Sequence, residues 1–169
     1  MVTVNAPRFE ITECNNELER QFIELIHLRS EADGWYPGVV WTHDDRLVLG
    51  VDIIDCELNC VLRSLRVDFY GQKVLFGDDE TYQFVTDLDP YRSGVSMLSN
   101  RPVQEMAGIV ADWLIGQIRR QIVCRQWLYD CDFREWVYED DPNRGLVNSG
   151  TRVRGRAPDK IIPVVIETG

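Results

Sequence analysis

The sequence predicts an α+β fold in which two amphipathic helices pack on one face of a mainly antiparallel β-sheet of about five to seven strands. Three observations lead to this prediction. Apolar residues recur every three or four positions in two stretches and alternate with polar residues in several others, and the links between the alternating stretches are short and rich in turn residues. The length of 169 residues, with 44% hydrophobic side chains, is typical of one domain spanning residues 1–169.

The first helix is predicted to begin after Asn16 and to end at Gly34. The side chain of Asn16 can cap the first free N–H groups, and Glu19, three residues later, can bond back to the chain before the helix. Glycine adopts the left-handed conformation that ends many helices. The apolar positions recur on one face, which must pack on another element: Leu18, Phe22, Leu25 and Ile26.

Alternating patterns at residues 47–54 and 65–70 predict half-buried strands, and residues 81–85 form a further candidate strand. Turn residues at 43–46 and at 71–72 separate these segments. Because parallel strands need long crossover connections, the short links favour an antiparallel meander.

The second helix is predicted to begin at Pro102 or Val103 and to continue to about Arg120, with a continuous apolar stripe along one side. Two further strand candidates follow it, at residues 122–129 and 133–138, and we interpret them as a hairpin. Residues 142–169 are predicted to be a loop-rich C-terminal segment with a possible edge strand at its end.

The late hairpin carries arginine and aromatic residues on alternate positions. If it is extended, each strand presents one such set on one face, namely Arg125, Trp127 and Tyr129 on the first strand and Arg134, Trp136 and Tyr138 on the second. These sets form either an exposed binding surface or ordinary cross-strand pairs covered by the long helix. A cationic strip in the tail (Arg152, Arg154 and Arg156) could contact nucleic acid or pair with the acidic part of the chain.

The charge distribution narrows the classes of partner. The net charge is -10, and the first 100 residues hold 18 acidic and 8 basic side chains, whereas residues 101–169 hold 10 of each. Nucleic-acid binding draws on basic residues, so this balance disfavours it and favours a protein partner with a basic or neutral surface. No apolar stretch approaches the length of a membrane span, and the N-terminus has no signal-peptide pattern. We therefore expect a cytoplasmic protein without membrane contact.

No motif in the sequence identifies a reaction. The five cysteines are widely spaced and odd in number, which is typical of reduced thiols, and the two histidines do not complete a zinc pattern. No glycine-rich phosphate loop or nucleophile elbow is present, so we expect no metal and no cofactor. An alternative hypothesis is a small enzyme with a dispersed acid/base set, for which His43, Asp52 and Asp68 are the candidates.

Four carboxylates in predicted turns and two neighbouring aromatics are the candidate partner-binding residues: Asp44, Asp45, Asp78, Asp79, Trp35 and Tyr36. The carboxylates can also be solvated turn residues, and the aromatic loop can plug the core instead of anchoring a partner. The sequence hypothesis is a non-catalytic, protein-binding module of the immunity or antitoxin type, which would cap a toxin or enzyme sterically with its acidic surface. A homo-oligomeric regulatory subunit that pairs through the late hairpin and the tail, with a homodimer as the simplest case, is a further alternative.

Overall fold

The computed structural model describes residues 11–35, 37–79, 86–128, 133–150 and 155–168. The first helix, α1, spans Glu17–Asp33 after a short 3-10 turn at Ile11–Glu13, and the second, α2, spans Val103–Ile118. Ten strands were found in the described residues, and in chain order they are β1 (Val39–Thr42), β2 (Leu47–Asp55), β3 (Cys60–Phe69), β4 (Lys73–Asp78), β5 (Ser96–Ser99), β6 (Ile122–Trp127), β7 (Phe133–Tyr138), β8 (Gly145–Ser149), β9 (Lys160–Pro163) and β10 (Ile166–Thr168).

The strands form two sheets, and the predicted α+β fold with antiparallel strands is confirmed. The first sheet has the order β1-β2-β3-β4-β5, and β10 pairs with the far end of β2. The second sheet has the order β8-β7-β6-β9. The segment 142–169 supplies β8, β9 and β10, and β9 lies at the edge of the second sheet. The predicted strand at residues 81–85 lies outside the described residues.

The predicted ends of α1 are confirmed by their hydrogen bonds. The amide of Glu19 donates to the side-chain oxygen of Asn16 at 3.0 Å, and the carboxylate of Glu19 accepts from the amide of Asn15 at 2.8 Å. Gly34 has a φ of 75° and donates its N–H to the carbonyl of Ser30. The helix therefore begins and ends where its local sequence places the capping groups.

Both helices pack on the same face of the first sheet. Phe22 of α1 stacks on Phe69 of β3 with ring centroids 4.2 Å apart, and Trp113 of α2 meets Phe76 of β4 edge-on at 5.1 Å. Phe69 and Phe76 lie on one side of the sheet because Phe76 pairs with Val67, two residues before Phe69. Neither helix in the described part of the chain has the length and apolarity that crossing a membrane requires.

Polar contacts between described residues join the sheets. The indole N–H of Trp136 donates to one carboxylate oxygen of the buried Asp55 at 2.9 Å, and the other oxygen accepts the amides of Glu57 and Leu58 in the β2–β3 turn. Arg63 of β3 donates to the hydroxyl of Tyr138 in β7. The seam between the sheets is therefore held by groups that are far apart in the sequence.

The other face of the first sheet contains a buried ion pair. Arg66 donates to the carboxylate of Asp68 at 2.7 Å, and the amide of Leu88 donates to the same carboxylate at 3.0 Å. The carbonyl of Thr86 accepts a further bond from Arg66. Residues 86–88 thus pack against this face, and the Asp68 carboxylate points into the protein.

Candidate functional site

The candidate carboxylates lie in two separate groups. Asp44 and Asp45 lie in the β1–β2 turn and are exposed, whereas Asp78 ends β4 and Asp79 follows it. The distance between the groups follows from the strand register. The β1–β2 turn lies at the end of the sheet where Phe69 pairs with Val74, and Asp78 is four residues further along β4. At about 3.3 Å per residue that interval is about 13 Å. One compact partner side chain therefore cannot contact both groups.

Asp78 and Asp79 do not form an exposed acidic surface. The Asp78 side chain is only 16% exposed and forms ion pairs with both Arg63 and Arg144. Asp79 is buried, and its amide donates to the carbonyl of Ser64. Both line a cleft of about 330 Å³ between β3, β4 and β8, in which the two arginines offset the carboxylates. The structure does not support these two residues as acidic contacts for a partner.

Trp35 lies in the hydrophobic core, where its side chain is 2% exposed. The left-handed turn at Gly34 directs the chain back, and the amide of Trp35 donates to the carbonyl of Ser30. For Trp35, the structure therefore favours the core plug and not the exposed anchor. Tyr36, the second candidate anchor, lies outside the described residues.

Trp41 is an exposed aromatic in this region. It lies in β1, where the alternation of the strand places it with Val39 on the face opposite the helices. Its side chain is 44% exposed, and its ring lies 4.5 Å from that of His43. The local sequence VVWT does not separate Trp41 from its neighbours in β1, and its exposure follows from its place on the outer face of an edge strand.

A buried arginine connects the exposed carboxylates next to Trp41. The Arg46 side chain is 5% exposed, and its Nη1 lies 3.2 Å from a carboxylate oxygen of Asp45 and 2.7 Å from one of Asp87. Its Nε lies 3.8 Å from the buried Asp68. The side chains of Asp45 and Asp87 are 63% and 60% exposed, so each is held from below and presented to solvent.

We call this group the acidic tip; its members are Trp41, His43, Asp44, Asp45 and Asp87. Burial raises the pKa of the hydroxyl of the nearby Tyr70, and the carboxylates of Asp68 and Asp87 raise it further. The Lys73 ammonium lies over the Tyr70 ring at 4.3 Å. Asp87 is far from Asp44 and Asp45 in the sequence, and it reaches the tip because residues 86–88 pack against the sheet.

The candidate acid/base set is not brought together. Asp52 accepts a hydrogen bond from Ser64, whereas Asp68 forms the buried pair with Arg66. Asp68 of β3 pairs with Val48 of β2, and Val48 is four residues from Asp52 along β2. At about 3.3 Å per residue, the two carboxylates are therefore about 13 Å apart. His43 lies in the turn beyond the end of β2. These three groups cannot act on one reacting atom in this arrangement.

The described cysteines and metal-ligating side chains show no reactive arrangement. No group of three or more metal-ligating side chains occurs there. Burial raises the pKa of the thiols of Cys56, Cys60 and Cys124, and raises that of Cys14 to about 11. Because the thiolate is the nucleophile, a raised pKa makes these cysteines less reactive at neutral pH.

The late hairpin is part of the core rather than an exposed arginine and aromatic surface. β6 and β7 pair as predicted, with Trp127 opposite Phe133. Trp127, Trp136 and Tyr138 are all buried, and Tyr129 lies outside the described residues. In the tail, Arg156 pairs with Asp159 at 2.9 Å, while Arg152 and Arg154 lie outside the described residues.

Comparisons of the chain with models of protein families, with curated proteins and with solved structures found no match.

Proposed function

We propose that this protein is a non-catalytic binding module that contacts the basic surface of a partner protein through its acidic tip. In the form we propose, it is an inhibitor of the immunity or antitoxin type, which caps a toxin or enzyme sterically. The observation that supports this function is the pairing of the buried Arg46 with the two exposed carboxylates of Asp45 and Asp87.

The Arg46 pairing reduces the entropic cost of binding. An exposed aspartate on a turn samples several rotamers, and a partner must immobilise it at a cost of about 0.5–1.5 kcal/mol for a mobile side chain. Here Arg46 already restrains both carboxylates, and its own side chain is buried. The carboxylates are therefore oriented before the partner arrives.

Trp41 supplies the apolar part of the contact. Tryptophan is enriched among the residues that contribute most to binding, because it buries a large area with few rotatable bonds. Its 44% exposed side chain lies in the strand that leads into the Asp44-Asp45 turn. A basic surface with an apolar depression would satisfy both parts of the tip.

The overall charge favours fast capture of such a partner. A net charge of -10 attracts a basic protein over a distance of about 10 Å at moderate ionic strength, and the exposed tip carboxylates orient the encounter. Rapid association suits an inhibitor that must neutralise a harmful enzyme soon after meeting it.

The experiment compares two double variants that change the net charge equally. Asp44→Asn with Asp45→Asn removes two tip carboxylates, and Glu24→Gln with Glu31→Gln removes two exposed carboxylates from α1. Wild-type protein captures its partner from a lysate of the source cells, and association rates are then measured with the purified partner at low and moderate salt.

We expect the tip variant to associate roughly three to ten times more slowly at low salt, with a smaller difference at moderate salt, and the helix variant to resemble wild type. An equimolar complex should also lack the partner's own activity. Equal association rates for both double variants would refute the role of the acidic tip, and so would a wild-type bait that retains no more protein than the tip variant. A fully active partner in the complex would refute inhibition.

A further inference from the structure

The acidic tip is continuous with an open edge of the first sheet. β1 is the terminal strand, and in the described part of the chain no strand pairs with its outer side. β1 pairs with Leu47 to Gly50 of β2, and β10 pairs with Ile53 to Asp55 along the same edge of β2. The outer edge of β1 therefore faces away from the rest of the sheet.

The register shows which backbone groups of β1 lie on that edge. The amide of His43 donates to the carbonyl of Arg46, which makes these two residues a hydrogen-bonded pair. In an antiparallel ladder such pairs alternate, so Val39 and Trp41 bond to β2, whereas the N–H and C=O groups of Val40 and Thr42 point outward.

The composition of β1 differs from that of the other edge strands. Natural proteins protect sheet edges with charged side chains, especially lysine, with proline, with bulges or with very short strands. β9 contains Lys160 and Pro163, β8 begins with Gly145, and β5 has serine at both ends. β1 consists of two valines, a tryptophan and a threonine, all residues that favour strands, and it carries no charge.

We infer that the partner adds an extended segment to β1 as a further antiparallel strand, with basic residues near its N-terminal end. This inference rests on the proposed function and specifies how the partner binds. In an antiparallel pair, the beginning of the added strand lies beside the end of β1, where Asp44 and Asp45 follow. Main-chain bonds to Val40 and Thr42 would supply affinity, and the carboxylates would fix the register.

The charges favour a basic segment over a second copy of this chain. Each copy carries a net charge of -10, so two copies that paired through β1 would repel each other, and Pro37 and Gly38 before β1 would offer no cation to Asp44 and Asp45 of the other copy. Like charges across an interface are unfavourable. A basic segment is attracted instead, because its positive charges lie beside the carboxylates of Asp44 and Asp45.

The matched variants are Thr42→Pro and Thr42→Val. Proline removes the outward N–H of residue 42 and leaves the bonds between β1 and β2 intact, since that N–H does not take part in them; proline is tolerated on the open side of edge strands. Valine removes the hydroxyl but keeps the N–H. Thermal unfolding of both variants checks that the fold is retained.

The probe is a capped peptide, Lys-Arg-Thr-Val-Thr-Val-Thr, titrated into the full-length protein while the backbone amide resonances are recorded. We expect saturable shifts at residues 38–46 and binding at least tenfold weaker for Thr42→Pro than for Thr42→Val. Methylation of the peptide nitrogens that face β1 should abolish binding, and methylation of the alternate nitrogens should not. Moving Lys-Arg to the other end of the peptide should weaken binding.

The outcomes separate this inference from the proposed function. Slower partner association in the Asp44→Asn, Asp45→Asn variant, together with equal peptide binding by the two Thr42 variants, would retain the acidic tip and overturn strand addition. The absence of any peptide shift at residues 38–46 would also overturn it. A wild-type dimer that Thr42→Pro converts to monomer in sedimentation would show that a second copy occupies the edge, which again overturns the inference.

Discussion

Replacing Arg63 with methionine removes the side chain that connects four elements at the seam between the sheets. The Arg63 guanidinium donates to Asp78 in β4 at 2.6 Å and to Gln117 in α2 at 2.8 Å, and it also donates to the hydroxyl of Tyr138 in β7. Its side chain is almost entirely buried. Methionine fills a similar volume, so the substitution chiefly deletes the hydrogen bonds and the charge.

The expected loss in the free energy of unfolding is about 3 kcal/mol. Hydrogen bonds to charged groups contribute about 1.5–3 kcal/mol each, and breaking a buried ion pair by removing one partner costs about 3–5 kcal/mol. The lower part of that range applies because Asp78 keeps Arg144 as a partner. For a domain of this size the melting temperature should fall by roughly 6–12 °C.

Urea unfolding followed by tryptophan fluorescence measures this loss, and Arg144→Met is the matched control. Arg144 pairs with the same carboxylate, but its side chain is about half exposed, so its loss should cost less than about 1 kcal/mol. If Arg63→Met is no less stable than Arg144→Met, Arg63 does not hold the seam, and the reasoning from its burial and hydrogen bonds is wrong.

Two further predictions concern stability. Gly77→Ala should destabilise the protein by about 1–3 kcal/mol, because a Cβ at Gly77 would lie 2.7 Å from the carbonyl oxygen of Gly94, whereas Gly108→Ala in α2 has open space and should be neutral or stabilising in the same urea assay. His27 should make the protein less stable as the pH falls through 6.5: burial lowers its pKa in the folded state, its Nε2 has no hydrogen-bond partner in the described part of the chain, and the unfolded chain therefore binds the proton first. Melting temperatures between pH 7.5 and 5.5 measure this slope, and His27→Gln should reduce it; an unchanged slope would contradict the assignment.

The parts of the fold that could be predicted from sequence depend on contacts between near neighbours. The hydrogen bonds that begin and end α1 join Asn16 to Glu19 and Ser30 to Gly34, so the capping residues alone place its ends. The alternation of β2 and β3 depends likewise on which side of one strand faces the core. These signals lie within windows of a few residues.

The division into two sheets could not be predicted in this way. The contacts that define the seam join Asp55 to Trp136 and Arg63 to Tyr138, which are 81 and 75 residues apart. Nothing in the local pattern of β7 shows that it joins a second sheet. The burial of Trp127 and Trp136 on the hairpin has the same cause, because tertiary contacts decide whether an alternating aromatic is covered.

The acidic candidates show why composition alone does not define a site. Asp44-Asp45 and Asp78-Asp79 look alike in the sequence, since each is a pair of aspartates in a predicted turn. Their environments differ because Asp78 contacts arginines that are distant in the sequence, which no local pattern indicates. Arg63 and Arg144 meet Asp78 from positions 15 and 66 residues away.

Both groups contain arginine, and the position of the arginine decides what the carboxylate can do. At Asp78, the half-exposed Arg144 lies toward solvent, so a partner's cation would have to displace a charge that is already there. At Asp45 and Asp87 the arginine lies beneath the carboxylates and is itself shielded from solvent, which leaves their outer oxygens accessible. A cation below an exposed carboxylate orients it, whereas a cation above it competes with the partner. For this reason binding should depend on the tip formed with Asp87, and not on the full set of acidic residues in the sequence.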